Sequence, residues 1–277
     1  MDRIVAWAEE QPDIRALILI GSQARAGTPA DEWSDIDLGL FTTRPERYLD
    51  DAGWVEELGR PIVTFVEGTA VGDERERRVL FEGGQDVDFA VIPVSQIEAM
   101  ARAPGAATVL ERGFRVLLDR DGIEGRLRAA AVPVRPAPPS AAEFAETIAD
   151  FFYHGLWAAR KLRRGELLLA KDCCDGCMKW LLVRMLRWHT GATRGWDHDT
   201  WHSGRFVERW ADPRAVKGLR AVYAHYDEED LRRALIATMD LFRWVAQETA
   251  ARLGYPYPTR MDEQVTALVE QCLAASR

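Results

Sequence analysis

Four prolines fall within the eight residues 132–139, which read Val-Pro-Val-Arg-Pro-Ala-Pro-Pro, and that run divides the chain into two halves of different pattern. Each proline fixes φ and removes a backbone donor, so neither a helix nor a central strand can pass through. The segment is expected to be a stiff, extended linker over residues 133–140, with one domain over 1–132 and another over 141–277. A chain of 277 residues that is 47% hydrophobic has enough apolar side chains for two separate cores.

Before the linker, short β-branched runs alternate with turn signals. Residues 2–11 carry Ile4, Val5, Trp7 and Ala8 on a helical period and stop at Pro12. Strands are predicted at 14–20, 35–41, 61–66, 77–82, 85–92 and 114–119, with Gly83-Gly84 as a hairpin signal between two of them. Helical patches at 95–102 and 121–131 complete a mixed-sheet domain. After the linker the spacing becomes helical, with segments at 141–164, 166–190, 212–226 and 228–253 and a short last helix after Tyr255-Pro256-Tyr257-Pro258. The fold class is therefore α+β, an N-terminal mixed-sheet domain followed by a C-terminal helical bundle.

A formal charge of -8 and a pI near 5.3 argue against a non-specific nucleic-acid binder. The acidic balance suits a cationic small substrate, and it is equally common among soluble proteins in general. No run approaches the roughly 20 apolar residues of a spanning helix, and no leader pattern precedes Glu9-Glu10, so a cytoplasmic protein is expected. Three of the four cysteines crowd together as Cys173, Cys174 and Cys177, unlike a disulfide framework, and read as buried helix thiols rather than a zinc site. His198 and His202 lack the glutamate of a zinc-protease motif.

The chemistry concentrates in the first half. Strand side chains alternate faces, so Asp35 and Asp37 share one face while Ile36 points into the core. Two carboxylates that close repel each other, and a divalent cation is the natural compensation. Taken alone the pair also reads as a solvated turn cap. Asp88 lies on a later strand; if that strand neighbours the second, three carboxylates converge and leave coordination positions open for water and phosphate. Gly21 lets the chain turn sharply off the first strand, and Ser22 with the amides ahead of a short helical stretch at 23–26 can receive phosphate oxygens. Arg25 adds positive charge near the same anion, or stays a surface arginine. Neither a Walker loop nor a Gly-x-Gly-x-x-Gly turn is present.

Ile20-Gly21-Ser22, Asp35-Ile36-Asp37 and Val87-Asp88-Phe89-Ala90-Val91-Ile92-Pro93 together resemble the polymerase β-like nucleotidyltransferases, and within them the aminoglycoside 6-adenylyltransferases that modify streptomycin. The segment from Glu166 to Asp172, then Val183-Arg184-Met185-Leu186-Arg187-Trp188, Gly204 to Trp210 and Leu253 to Pro258, is similar to the helical domain of that family, so the likeness runs nearly end to end. The resemblance implies transfer of AMP from ATP to an aminoglycoside hydroxyl, Mg2+ on Asp35, Asp37 and Asp88, and Asp172 as general base. Asp172 and Lys179 are seven residues apart, two helical turns, and are expected to share one face, with Lys179 neutralising the triphosphate. Cys173, Cys174 and Cys177 stand where more polar residues are expected, which leaves the acceptor open. A lincosamide or a protein hydroxyl is an alternative acceptor, Glu67 and Glu82 are alternative bases, and a non-catalytic nucleotide-binding module is the alternative class. One chain is adequate to hold both substrates, and a dimer is compatible with the same reading.

Overall fold

The computed structural model describes residues 1–25, 30–69, 74–102, 104–132 and 136–274. The chain divides into two compact units, Met1–Val134 and Arg135–Arg277. The fold class is α+β, a six-stranded mixed sheet in the first unit and helices throughout the second.

The first unit runs α1 (Asp2–Glu10), β1 (Ile14–Ile20), β2 (Ile36–Thr42), α2 (Pro45–Leu49), α3 (Val55–Leu58), β3 (Pro61–Gly68), β4 (Arg75–Phe81), β5 (Asp86–Pro93), α4 (Ile97–Arg102), α5 (Pro104–Glu111), β6 (Arg115–Asp119) and α6 (Glu124–Ala130). The strand order is β3-β4-β5-β2-β1-β6, and β2 with β5 is a parallel pair while the other neighbours are antiparallel. β1 is apolar on both faces because both are covered. Leu17 and Leu19 pack with Ile4, Trp7, Tyr48, Trp54 and Phe89 on one side. Ala16 and Ile18 pack with Phe41, Ile92, Ile97, Leu110 and Leu127 on the other. The short helices α2, α3 and α5 have no counterpart in the sequence reading, since four to eight residues give too little periodicity to register.

The second unit runs α7 (Ala141–Arg163), α8 (Leu167–Asp172), a π-helical turn (Cys173–Cys177), α9 (Met178–Arg194), α10 (Val207–Trp210), α11 (Pro213–Leu219), α12 (Glu228–Leu253) and α13 (Thr259–Ala274). Of the proline run, residues 133–135 lie outside the described residues, and 136–139 carry no regular structure. Ser140 then opens α7 with a reciprocal capping box, its hydroxyl accepting from the Glu143 amide and its own amide donating to the Glu143 carboxylate. The core joins α7, α9 and α12 through Phe151 and Phe242, whose rings stack at 3.6 Å, with Phe152, Met185 and Val245 around them. Among the described residues no helix is long and apolar enough to cross a membrane.

Three helical expectations change. The span 166–190 is interrupted by the π-helical turn. The expected helix over 212–226 ends at Leu219, because side chains from elsewhere take the carbonyls beyond it: Arg233 donates to Ala221 and Tyr223, and Lys171 to Ala224. The last helix is 16 residues long rather than short. It is tied down by Asp262, which is buried and accepts hydrogen bonds from Arg243, the Tyr257 hydroxyl and the Thr266 hydroxyl. Asp262→Ala should therefore lower the unfolding free energy by about 3 kcal/mol in urea, because it leaves the Arg243 guanidinium half-buried without its main partner. A loss below 0.5 kcal/mol would show that this network does not hold α13.

Candidate active site

β1 delivers the chain to the site and Gly21 turns it. Ile20 lies opposite Asp37 in the antiparallel register of β1 and β2. Gly21 has φ +68°, a left-handed conformation that glycine adopts freely. A Cβ at this position would lie 1.8 Å from Asp37 Oδ2, so the missing side chain is what lets the turn pass over the carboxylate. Gly21–Gln23 then forms a single 3-10 turn in place of the helical stretch expected over 23–26, whose last residue, Ala26, lies outside the described residues. The Ser22 hydroxyl is buried there and has no hydrogen-bond partner among the described residues. A buried hydroxyl left without a partner is disfavoured, and an incoming oxygen ligand would satisfy it.

The parallel pairing of β2 and β5 places Asp37 directly beside Asp88. Asp35, just before β2, falls on the same face by alternation. Carboxylate oxygens of Asp35, Asp37 and Asp88 all lie within 4.8 Å of one another. On this face Phe41 and Ile92, four residues further along each strand, are packed under α4, α5 and α6, so the triad continues a core face beyond its helical cover. Burial, reinforced by Asp35 and Asp88, raises the Asp37 carboxyl to about 6, against the opposing pull of Arg25 and Arg78. Three hard oxygen donors, a carboxyl driven toward protonation by burial and then by its neighbours, and a hydroxyl close by without a partner among the described residues are consistent with a metal site that also receives an oxyanion.

The sequence reading missed the next ring of charge. Arg78 on β4 lies opposite Asp88 in the antiparallel register and grips it with two hydrogen bonds, 2.9 Å to Oδ1 and 2.5 Å to Oδ2. Its other contacts are Glu67 at 3.1 Å and Glu76 at 3.7 Å. Burial, with Asp88 next, raises the Glu76 carboxyl to about 7. A signal for these residues was present: pairing about the Gly83-Gly84 hairpin sets residue 78 against 88. Glu82, offered as an alternative base, is exposed and faces Arg60 at 3.8 Å.

In the second unit the expected shared face of Asp172 and Lys179 does not form. Asp172 is exposed at the end of α8, whereas Lys179 is buried in α9. The cause is the π-helical turn between them, in which each residue advances less about the axis, so seven residues no longer complete two turns. The Lys179 ammonium donates to the Cys174 carbonyl at 2.8 Å and to Thr238 Oγ1 at 3.0 Å, and burial lowers its pKa. Cys173 and Cys174 are buried and Cys177 is exposed, all as free thiols. Burial pushes Cys173 up to about 12, an unreactive thiol.

The Asp37 shift sets a pH dependence. Between its ordinary pKa of 3.8 and about 6 the native state holds a proton that the unfolded chain has released. The metal-free protein thus loses stability as pH rises through that window. Asp37→Asn should remove this loss, making the metal-free variant more stable than the parent at pH 7.5 by on the order of 2 kcal/mol, with the gap shrinking toward pH 4. Urea unfolding in a chelating buffer at both pH values checks this, and a gap independent of pH would contradict it.

Similarity to known proteins runs over nearly the whole chain. A family model described as streptomycin adenylyltransferase matches residues 1–272. Aminoglycoside 6-adenylyltransferase of Bacillus subtilis (strain 168) is 25% identical over 278 residues, covering 98% of this chain and 95% of that protein. The enzyme of the same name from Campylobacter jejuni is 23% identical, covering 97% and 92%. A crystal structure of an aminoglycoside 6-adenyltransferase from Bacillus subtilis aligns with a TM-score of 0.49 at 22% identity over 99% of this chain and 97% of that one. With a family model spanning nearly its whole length, the chain belongs to the streptomycin adenylyltransferase family, a family of aminoglycoside-modifying enzymes.

Proposed function

We propose that the protein transfers AMP from ATP to a hydroxyl of a cationic aminoglycoside, streptomycin first among them, and thereby inactivates the antibiotic. The observation that carries this reading is the convergence of Asp35, Asp37 and Asp88 beside the unpartnered Ser22 hydroxyl, in a chain of this family. The three aspartates would hold Mg2+, which when bound supplies Lewis-acid polarisation of the α-phosphate and of the attacking hydroxyl. Gly21 keeps the turn clear of the Asp37 carboxylate, Ser22 and its neighbouring amides receive triphosphate oxygens, and Arg25 adds positive charge to the same region. The proton of the acceptor hydroxyl passes to a general base, the role that the family resemblance gives to Asp172, as the hydroxyl oxygen forms the new bond to the α-phosphorus, while the bond to the β-phosphate oxygen breaks and pyrophosphate leaves. Lys179 contributes from inside the helical unit, holding the π-helical turn that follows Asp172.

Pyrophosphate release from ATP and Mg2+ across a panel of aminoglycosides tests the reading. Release that depends on streptomycin, and its loss in Asp37→Asn, is expected. Gly21→Ala should slow turnover by on the order of 100-fold, since the new methyl group displaces Asp37. ATP binding without product for any aminoglycoside would contradict the transferase reading and favour a nucleotide-binding module; product with another hydroxyl compound alone would keep the chemistry and replace the acceptor.

A further inference from the structure

The carboxylates on the catalytic face do not stop at the triad. Glu67 on β3, Glu76 on β4, and Asp86 and Asp88 on β5 lie around Arg78, with Asp35 just before β2 and Asp37 on it. Against these acids the charges acting on Asp37 from the basic side are Arg25 and Arg78. Arg78 touches the triad directly. Its planar guanidinium takes both oxygens of Asp88, which is 4% exposed, in the fork geometry that matches a carboxylate.

That arrangement sets a conflict. A carboxylate whose two oxygens each accept from a guanidinium has about two of its four lone-pair sites taken, and a positive charge in contact with Asp88 repels a second one arriving beside it. The same guanidinium already reaches Glu67 on β3 at 3.1 Å and Glu76 on its own strand at 3.7 Å. Arg78 is also 36% exposed, so its head can shift without opening the core. We infer that Arg78 is a built-in counter-ion that occupies Asp88 in the metal-free protein and is handed to Glu67 and Glu76 when a divalent cation enters the triad. Arg78 is thus a positioning residue that sets the threshold for metal binding. Asp88 is held charge-compensated when the site is empty, and a lone cation has to displace the arginine from it. A cation arriving with phosphate oxygens loses less, because those oxygens replace part of the ligation that Asp88 shares. The inference rests on the triad's being a metal site.

Mn2+ titration of the full chain, followed by the electron paramagnetic resonance signal of free Mn2+ without nucleotide, tests it. Arg78→Met should tighten Mn2+ binding about tenfold, Arg78→Lys should tighten it less, and Glu67→Gln should weaken it a few-fold, because the arginine then has a poorer place to go. Circular dichroism shows that each variant is folded; if Arg78→Met does not fold, Arg78→Gln and Glu67→Gln carry the comparison. Unchanged or weaker binding in the folded arginine variants, with the parent binding normally, would overturn the role given to Arg78 and leave the metal site standing. No binding by the parent or any variant would overturn the metal reading of the triad and this inference with it.

Discussion

The site depends on one pairing, the parallel register of β2 and β5 that sets Asp37 beside Asp88. Parallel neighbours need a crossover, and here the connection from β2 to β5 is made by α2, α3 and the β3-β4 pair, with Tyr48 and Trp54 packed onto Phe89 and the rest of the first-unit core. Because strand side chains alternate, a slip of one residue in that register would turn Asp88 to the opposite face and put Val87 or Phe89 in its place. The apolar side chains on the other face, Leu38 and Leu40 on β2 and Val87, Phe89 and Val91 on β5, forbid the slip. Packing on the side away from the chemistry thereby fixes the chemistry.

Once the carboxylates are adjacent, their mutual repulsion organises what surrounds them. Asp37 is pushed toward protonation, Asp88 is gripped by Arg78, and the turn at Gly21 carries no side chain where a methyl group would strike Asp37. Each feature answers the same problem of like charges held close in a half-buried place. The result is a carboxylate patch that costs the metal-free protein stability at neutral pH.

Much of this was legible in the sequence, for identifiable reasons. β1 declared itself as an unbroken apolar run ended by glycine, and the alternation of Asp35, Ile36 and Asp37 gave the shared face directly. The long helices α7 and α12 follow their apolar periods, and the change of pattern across the proline run pointed to a helical second half. The pairing of Asp88 with Asp37 was only conditional, since a parallel contact between residues 51 apart is a tertiary fact. Arg78 and Glu76 were missed because charged residues on a strand look like a solvated edge until the hairpin register is followed across to Asp88. The supposed common face of Asp172 and Lys179 failed for a local reason: one π-helical turn, invisible to a period of 3.6, buries the lysine and leaves the aspartate exposed.

The central claim is that the Asp35, Asp37 and Asp88 cluster is held ready for a divalent cation. Its most direct measurement is the thermal midpoint of the protein at pH 7.5 with and without millimolar Mg2+, in the parent and in Asp37→Asn. A site of this kind raises the midpoint of the parent when Mg2+ is added and leaves that of the variant unmoved. An equal rise in both, or none in either, would contradict it.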